Sequence, residues 1–340
     1  MGAMMADRSG RGAWLLAFLA AHACGCSAGA NPPKAKRWSL AVGDLDRVPL
    51  CVWGSAPDDV WIGGGGLAST NRLLLLHYDG RAFADVSRDL SGTIWWIHGK
   101  SAADIWAVGE KGLALHWNGS MWTSSSTGTD ANLFGVWVAA SNDVWAVGGS
   151  PSTAGPNDVL LHYDGVAWAP VAPPRQLGAT YFKIWGLSPT DLHVVASAGL
   201  ALHYDGSSWS EVATGVRATL FTAHGGPAAL RAIGGPPATV LLWDGHAWQT
   251  EPVPAEMSGA MTGIFVDAGG VTFMTGERYQ RYERDSSGGF TNDTDAPPFF
   301  GDLHAVWGDG RGNALAVGGN YVALTTPGVE PKGLVLRYGD

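Results

Sequence analysis

The 340-residue chain is 46% hydrophobic and only 15% charged, a balance that builds a packed core and excludes a disordered polymer. Its net charge of −9 comes without any long Lys/Arg cluster, which argues against a nucleic-acid partner and against a polybasic membrane patch, because both need concentrated basic charge. Seventeen Trp, 49 Gly and 19 Pro point to short strands joined by tight turns, not to helices.

Residues 1–23 read as an export signal. Arg8 and Arg11 precede an apolar stretch, residues 13–23, that is too short to cross a hydrocarbon core of about 30 Å. It runs into Ala23-Cys24-Gly25-Cys26, and small residues followed by cysteine resemble a bacterial lipobox, although neither candidate has the preferred Leu three residues ahead. Cys24 is the expected lipidation site, with Cys26 the alternative; either anchors the protein to a membrane through acyl chains. Residues 24–36, with Asn31-Pro32-Pro33, then form an extended tether. The third cysteine, Cys51, sits in an apolar run and is expected as a small core residue.

From residue 37 onward one phrase recurs: an apolar strand, Asp-Val-Trp-Ala-Val-Gly, Leu-His-Tyr-Asp-Gly, then Trp. Its second-strand position falls at Trp61, Trp106, Trp145, His193, Arg231, Phe273 and Leu315, a spacing of 38 to 48 residues. That period belongs to propeller blades. Each copy holds four strands' worth of β-rich sequence, and the Asp-Gly after the third, as in Asp164-Gly165, is a hairpin signal. The predicted fold is all-β, a seven-bladed β-propeller over residues 37–340 with four-stranded blades. Blade seven runs out at Tyr338-Gly339-Asp340 before its fourth strand, while Trp38 and its neighbours match a fourth-strand phrase such as Ser208-Trp209-Ser210. Residues 37–41 are therefore expected to complete the last blade and close the ring, leaving no open edge.

The Gly pair after strand two, with Tyr-Asp and Trp downstream (Gly148-Gly149, Tyr163-Asp164, Trp168), resembles kelch propellers; Gly109-Glu110 and Ser197-Ala198 depart from that pattern. The whole phrase also resembles Trp-rich propeller lipoproteins of myxobacteria and similar Gram-negative bacteria. This resemblance implies an exported, lipid-anchored protein at the outer membrane or cell surface, and it speaks to fold rather than to activity.

The usual catalytic patterns are missing: no Gly-x-Ser-x-Gly and no His-Glu-x-x-His occurs. His77, His116, His162 and His203 lie on third strands of four different blades, so they are expected to be structural and not to converge on one metal ion. Asp59, Asp104, Asp143 and Asp191 precede second strands and are expected to stabilise turns. No cofactor is expected. Connections between strands two and three and between blades vary, and both sets open on one face. Binding is placed there, on Asn71, Arg72, Pro151, Asn157, Arg175, Asp295 and Tyr321. The resulting expectation is a monomeric, non-catalytic binding or scaffold lipoprotein recognising a protein or polysaccharide at the cell envelope. The alternative is a lectin or glycan-active enzyme on the same scaffold.

Overall fold

The computed structural model describes residues 36–66, 72–88, 90–150, 157–294, 301–321, 326 and 329–339. Seven four-stranded antiparallel sheets span residues 48–85, 94–124, 132–170, 181–212, 220–251, 261–292 and 302–339, the last completed by Arg37–Leu45. In every blade the strands follow in sequence order from the innermost outward. Consecutive first strands contact one another around the ring, and the last contacts the first, so the seven sheets form a closed propeller. Each sheet is covered on both faces by its neighbours, which is why strands such as Asp143–Gly149 are buried nearly throughout instead of alternating.

Closure follows the expected route. Arg37–Leu45 pairs antiparallel with Gly333–Gly339, with Trp38 opposite Tyr338 and Leu40 opposite Leu336. Trp38 lies 5.3 Å from Tyr338 and 6.4 Å, edge-on, from Phe273 of blade six. It fills the slot that Trp122, Trp168 and Trp209 fill elsewhere, so the first strand joins the chain's two ends through the repeat's own packing rule.

That rule can be read from the register. Trp61, Trp106 and Trp145 on second strands stand directly opposite His77, His116 and His162 on third strands. Cross-strand partners share a face, so each indole meets its imidazole with ring centroids 4.2–4.5 Å apart. The indole also reaches the next blade: Trp61 meets Trp117 and Trp122 at 5.0 and 5.3 Å. Trp106 likewise meets Tyr163 and Trp168. Blade five replaces the indole with Arg231, whose guanidinium pairs with Glu251 and donates to Thr272 of blade six at 3.1 Å.

The repeated Asp and His have a more specific task than the sequence suggested. The His Nε2–H donates to the Asp at the start of the second strand: His77 to Asp59 at 2.7 Å, His116 to Asp104 at 2.9 Å, His162 to Asp143 at 2.8 Å and His203 to Asp191 at 2.9 Å. These carboxylates thus bind the third strand of their own blade. Their partner is a side chain, not the turn backbone, and the histidine acts within a blade while the Trp joins blades. Turn stabilisation falls instead to the Asp of Asp-Gly. Asp164 Oδ1 accepts the N–H groups of Val166 and Ala167, and Gly165 takes a φ of +96° that a side chain would strain.

Candidate functional site

The first strands line the axis, and each carries the same irregularity near its start. The pairing register skips one residue: Leu50, Trp95, Phe134, Phe182, Phe221, Thr262 and His304 in blades one to seven. Each is a β-bulge, which twists its strand and re-aims a side chain. Six of the seven bulged residues, all but Leu50, line one cavity of about 450 Å³ at the end where the first strands begin. Its size is that of a ligand pocket.

The bulged aromatics touch in series around the rim. Trp95 meets Phe134 at 5.3 Å, Phe134 meets Phe182 at 5.4 Å, and Phe182 meets Phe221 at 5.2 Å. On the other side, His304 and Tyr321 stack at 5.8 Å and both face Trp95. Carboxylates stand among them: Glu110 and Glu277 follow second strands, and Asp302 opens the first strand of blade seven. Asp302 is partly committed, since its Oδ1 accepts the Arg278 N–H at 2.9 Å, as Asn132 accepts that of Lys111 at 3.2 Å. These two bonds hold tight turns in which Arg278 and Lys111 have positive φ.

Lys183 lies one residue deeper. It is 4% exposed, so its ammonium form loses nearly all hydration. Its Nζ donates to the carbonyl of Phe134 at 3.2 Å and sits 3.0 Å from the centre of the Trp96 ring. Burial holds its pKa well below the ordinary lysine range. The Cys51 thiol in the same tier is pushed up to about 12 by burial, so it remains a thiol. His304 is pushed down to about 4, again by burial, and its Nδ1–H donates to the Leu50 carbonyl at 2.7 Å. A neutral ring with that tautomer keeps Nε2 as an acceptor.

Deeper still, rings fill the axis. Trp53 lies against Gly99, Trp137 against Gly186 and Trp307 against Gly54; a Cβ at any of these glycines would come within 2.3–2.7 Å of the indole. His98 reaches past a blade to Trp185 at 5.4 Å, and Trp185 meets His224 at 4.1 Å. The Trp residues of the first strands are packing, as expected.

The structure divides the residues read from the sequence. Tyr321 lines the cavity. Arg72 lies elsewhere on the surface, paired with Asp46 at 2.7 Å. Asn157 accepts the Ser150 N–H at 2.9 Å and so pins its own loop, while Arg175 is paired with Glu211. Asn71, Pro151, Asp295, Cys24 and Cys26 lie outside the described residues. The bulged aromatics and Lys183 were not singled out as binding residues. Lys183 did carry a signal: it is a lone charge within the apolar run Tyr181-Phe182-Lys183-Ile184-Trp185.

No family model matches the chain, and no curated protein matches it. Solved structures do. YCF48 bound to D1 peptide superposes with a TM-score of 0.66 at 13% identity, covering 90% of this chain and 98% of the other. A streptogramin B lyase gives 0.65 at 13% identity, covering 89% and 98%. The GH74 xyloglucanase from Xanthomonas campestris gives 0.60 at 14% identity, covering 88% of this chain and 55% of the enzyme. Binding proteins and enzymes thus share this scaffold, and at such low identity the likeness establishes the seven-bladed propeller alone.

Proposed function

We propose that this chain is a non-catalytic binding protein of the cell envelope. It is tethered by acyl chains on Cys24 (alternatively Cys26) and recognises a protein partner on the face where the first strands begin. One exposed aromatic or aliphatic side chain of the partner enters the channel mouth. The observation that carries this reading is the set of seven aligned bulges, which turn Trp95, Phe134, Phe182 and Phe221 onto one cavity at the axis. A packed interior has no need of half-buried aromatic faces around a cavity, whereas an interface gains most from them. Catalysis is the weaker reading because Asp302 is engaged by a backbone N–H and Lys183 by a carbonyl.

A pull-down from native membranes with the full chain tests it. The double variant Phe182→Ala/Phe221→Ala is expected to keep the fold and recover the partner at least tenfold less well; equal recovery would remove the mouth from the interface. Aromatic faces also stack on sugar rings, which supports a glycan as the second reading. A glycan array with saturable hits that vanish in the double variant would replace protein by glycan. Radiolabelled palmitate incorporation that survives in Cys24→Ala but not Cys26→Ala would move the anchor to Cys26; its loss in neither would discard the anchor.

A further inference from the structure

Blade four departs from its sisters at one position. Where blades one to three carry Trp61, Trp106 and Trp145, it carries His193, in the same register and opposite His203. The indole of Trp145 donates its Nε1–H to Asp143 at 2.9 Å, alongside the bond from His162. His193 takes over that geometry, with its Nε2 3.0 Å from Asp191 Oδ1, while His203 Nε2 is 2.9 Å from the same oxygen. The two imidazoles stack at 4.6 Å with planes 21° apart. An indole nitrogen has no lone pair to give a metal, but an imidazole nitrogen does. The substitution therefore turns a pair of hydrogen bonds into three convergent donor atoms, all within 4.8 Å of one another.

We infer that Asp191, His193 and His203 form a divalent-metal site for zinc or an ion of similar preference, bound through one carboxylate oxygen and two Nε2 atoms. Three protein ligands of this kind leave a fourth position open. The Asp191 and His203 side chains are 38% and 23% exposed while His193 is 0% exposed, so an ion enters from the Asp191 side. Ligands about 2.1 Å from a tetrahedral ion lie roughly 3.4 Å apart, so the present contacts must open by only a few tenths of an ångström. For each imidazole to offer Nε2, its proton moves to Nδ1, and no proton or electron is otherwise exchanged. His193 is already in the neutral form a ligand needs, because burial, and then the neighbouring His203, lowers its pKa to about 4.

Mimicry of the indole is the competing explanation, and His193 fits it poorly. Its Nδ1 is buried with no hydrogen-bond partner, whereas an indole at that place presents carbon. A half-satisfied imidazole in a slot built for Trp is a cost, on the order of 1–3 kcal/mol, that ligation would offset. The other Asp–His pairs supply two donors each and are expected to stay empty.

Calorimetric titration of untagged, chelator-treated full chain with Zn²⁺, paired with visible spectroscopy of the Co²⁺ form, tests the assignment. Wild type is expected to bind Zn²⁺ at this site with micromolar or tighter affinity and to give the intense Co²⁺ bands of a four-coordinate ion. His193→Trp restores the sister-blade residue and is expected to fold with an unchanged melting temperature and to lose at least tenfold in affinity at that site. It shares Cys24 and Cys26 with wild type, so the difference between the two isolates blade four. Asp191→Asn gives a second variant should His193→Trp fold poorly, with the same loss expected. Absence of saturable binding in wild type, or equal binding in both variants, would overturn the inference.

Discussion

The outer and axial halves of each blade contain the same number of strands but follow opposite rules. In the outer half one solution recurs: Asp holds His, His stacks on Trp, and Trp reaches the next blade, with distances that barely change from blade one to blade three. In the axial half the backbone recurs and the side chains do not. Every first strand has its bulge, yet the bulged residue is Leu, Trp, Phe, Phe, Phe, Thr or His. Repetition of residues marks what the ring needs in order to stand. Repetition of backbone with varied residues marks a place where the scaffold holds side chains for another purpose.

The strongest way to break this comparison is to attack closure. Deleting residues 37–45 leaves blade seven with three strands and bares the edge Gly333–Gly339, removing the slot partner of Phe273 and Tyr338. The expected loss is comparable to a whole domain's stability, about 5–15 kcal/mol, seen as aggregation or a non-cooperative melt by circular dichroism. A melt within a few degrees of wild type would mean that the ring stands without its clasp. Next comes a matched pair of tryptophans. Trp106, buried between blades two and three, is expected to lose about 3–5 kcal/mol on replacement by Ala, while half-buried Trp95→Ala loses less than half as much by urea denaturation. Equal losses would erase the distinction between the halves.

What was legible in the sequence divides along the same line. The blade number, the Asp-Gly turns and the closing strand were readable because each rests on local chemistry or on a repeated residue: Gly165 tolerates positive φ, and Trp38 copies Trp209. The bulges were not. A bulge shifts the phase of an alternating pattern, but these strands are buried on both faces and have no alternation to shift. Trp95 and Trp96 looked merely irregular for that reason. The Asp–His bond was missed because Asp before a strand commonly caps a turn, and only the register places His162 opposite Trp145 and within reach of Asp143.

The axial histidines give a smaller, pH-dependent test. His98 Nδ1 accepts the Val138 N–H at 3.1 Å and His224 Nδ1 accepts that of Val266 at 3.0 Å, so each ring must be neutral at that nitrogen to do its work. Burial lowers both pKa values to about 3, below the 6.5 of an exposed imidazole. The unfolded chain therefore binds protons first as pH falls. Stability is fully present above about pH 6.5 and declines through the window down to about pH 3, by at most about 2 kcal/mol per histidine at pH 5. Replacing both with Gln should flatten that slope, as read from melts between pH 7 and pH 4.5; an unchanged slope would place the proton uptake elsewhere.

The smallest effect is the most informative. If Lys183 belonged to the masonry, Lys183→Met would be among the worst substitutions in the chain, because the residue is buried and its amine bonds a carbonyl of another blade. The comparison predicts the reverse. Met keeps the length of the side chain and its contact with the Trp96 face, and it removes an amine whose dehydration the fold must sustain. Against this stands one lost hydrogen bond to Phe134, worth roughly 0.5–1.5 kcal/mol. The two nearly cancel, so the variant should melt within about 1 kcal/mol of wild type while its partner capture changes. A loss above about 3 kcal/mol with capture intact would make Lys183 a structural pin, and the channel mouth would then be framed by aromatics alone.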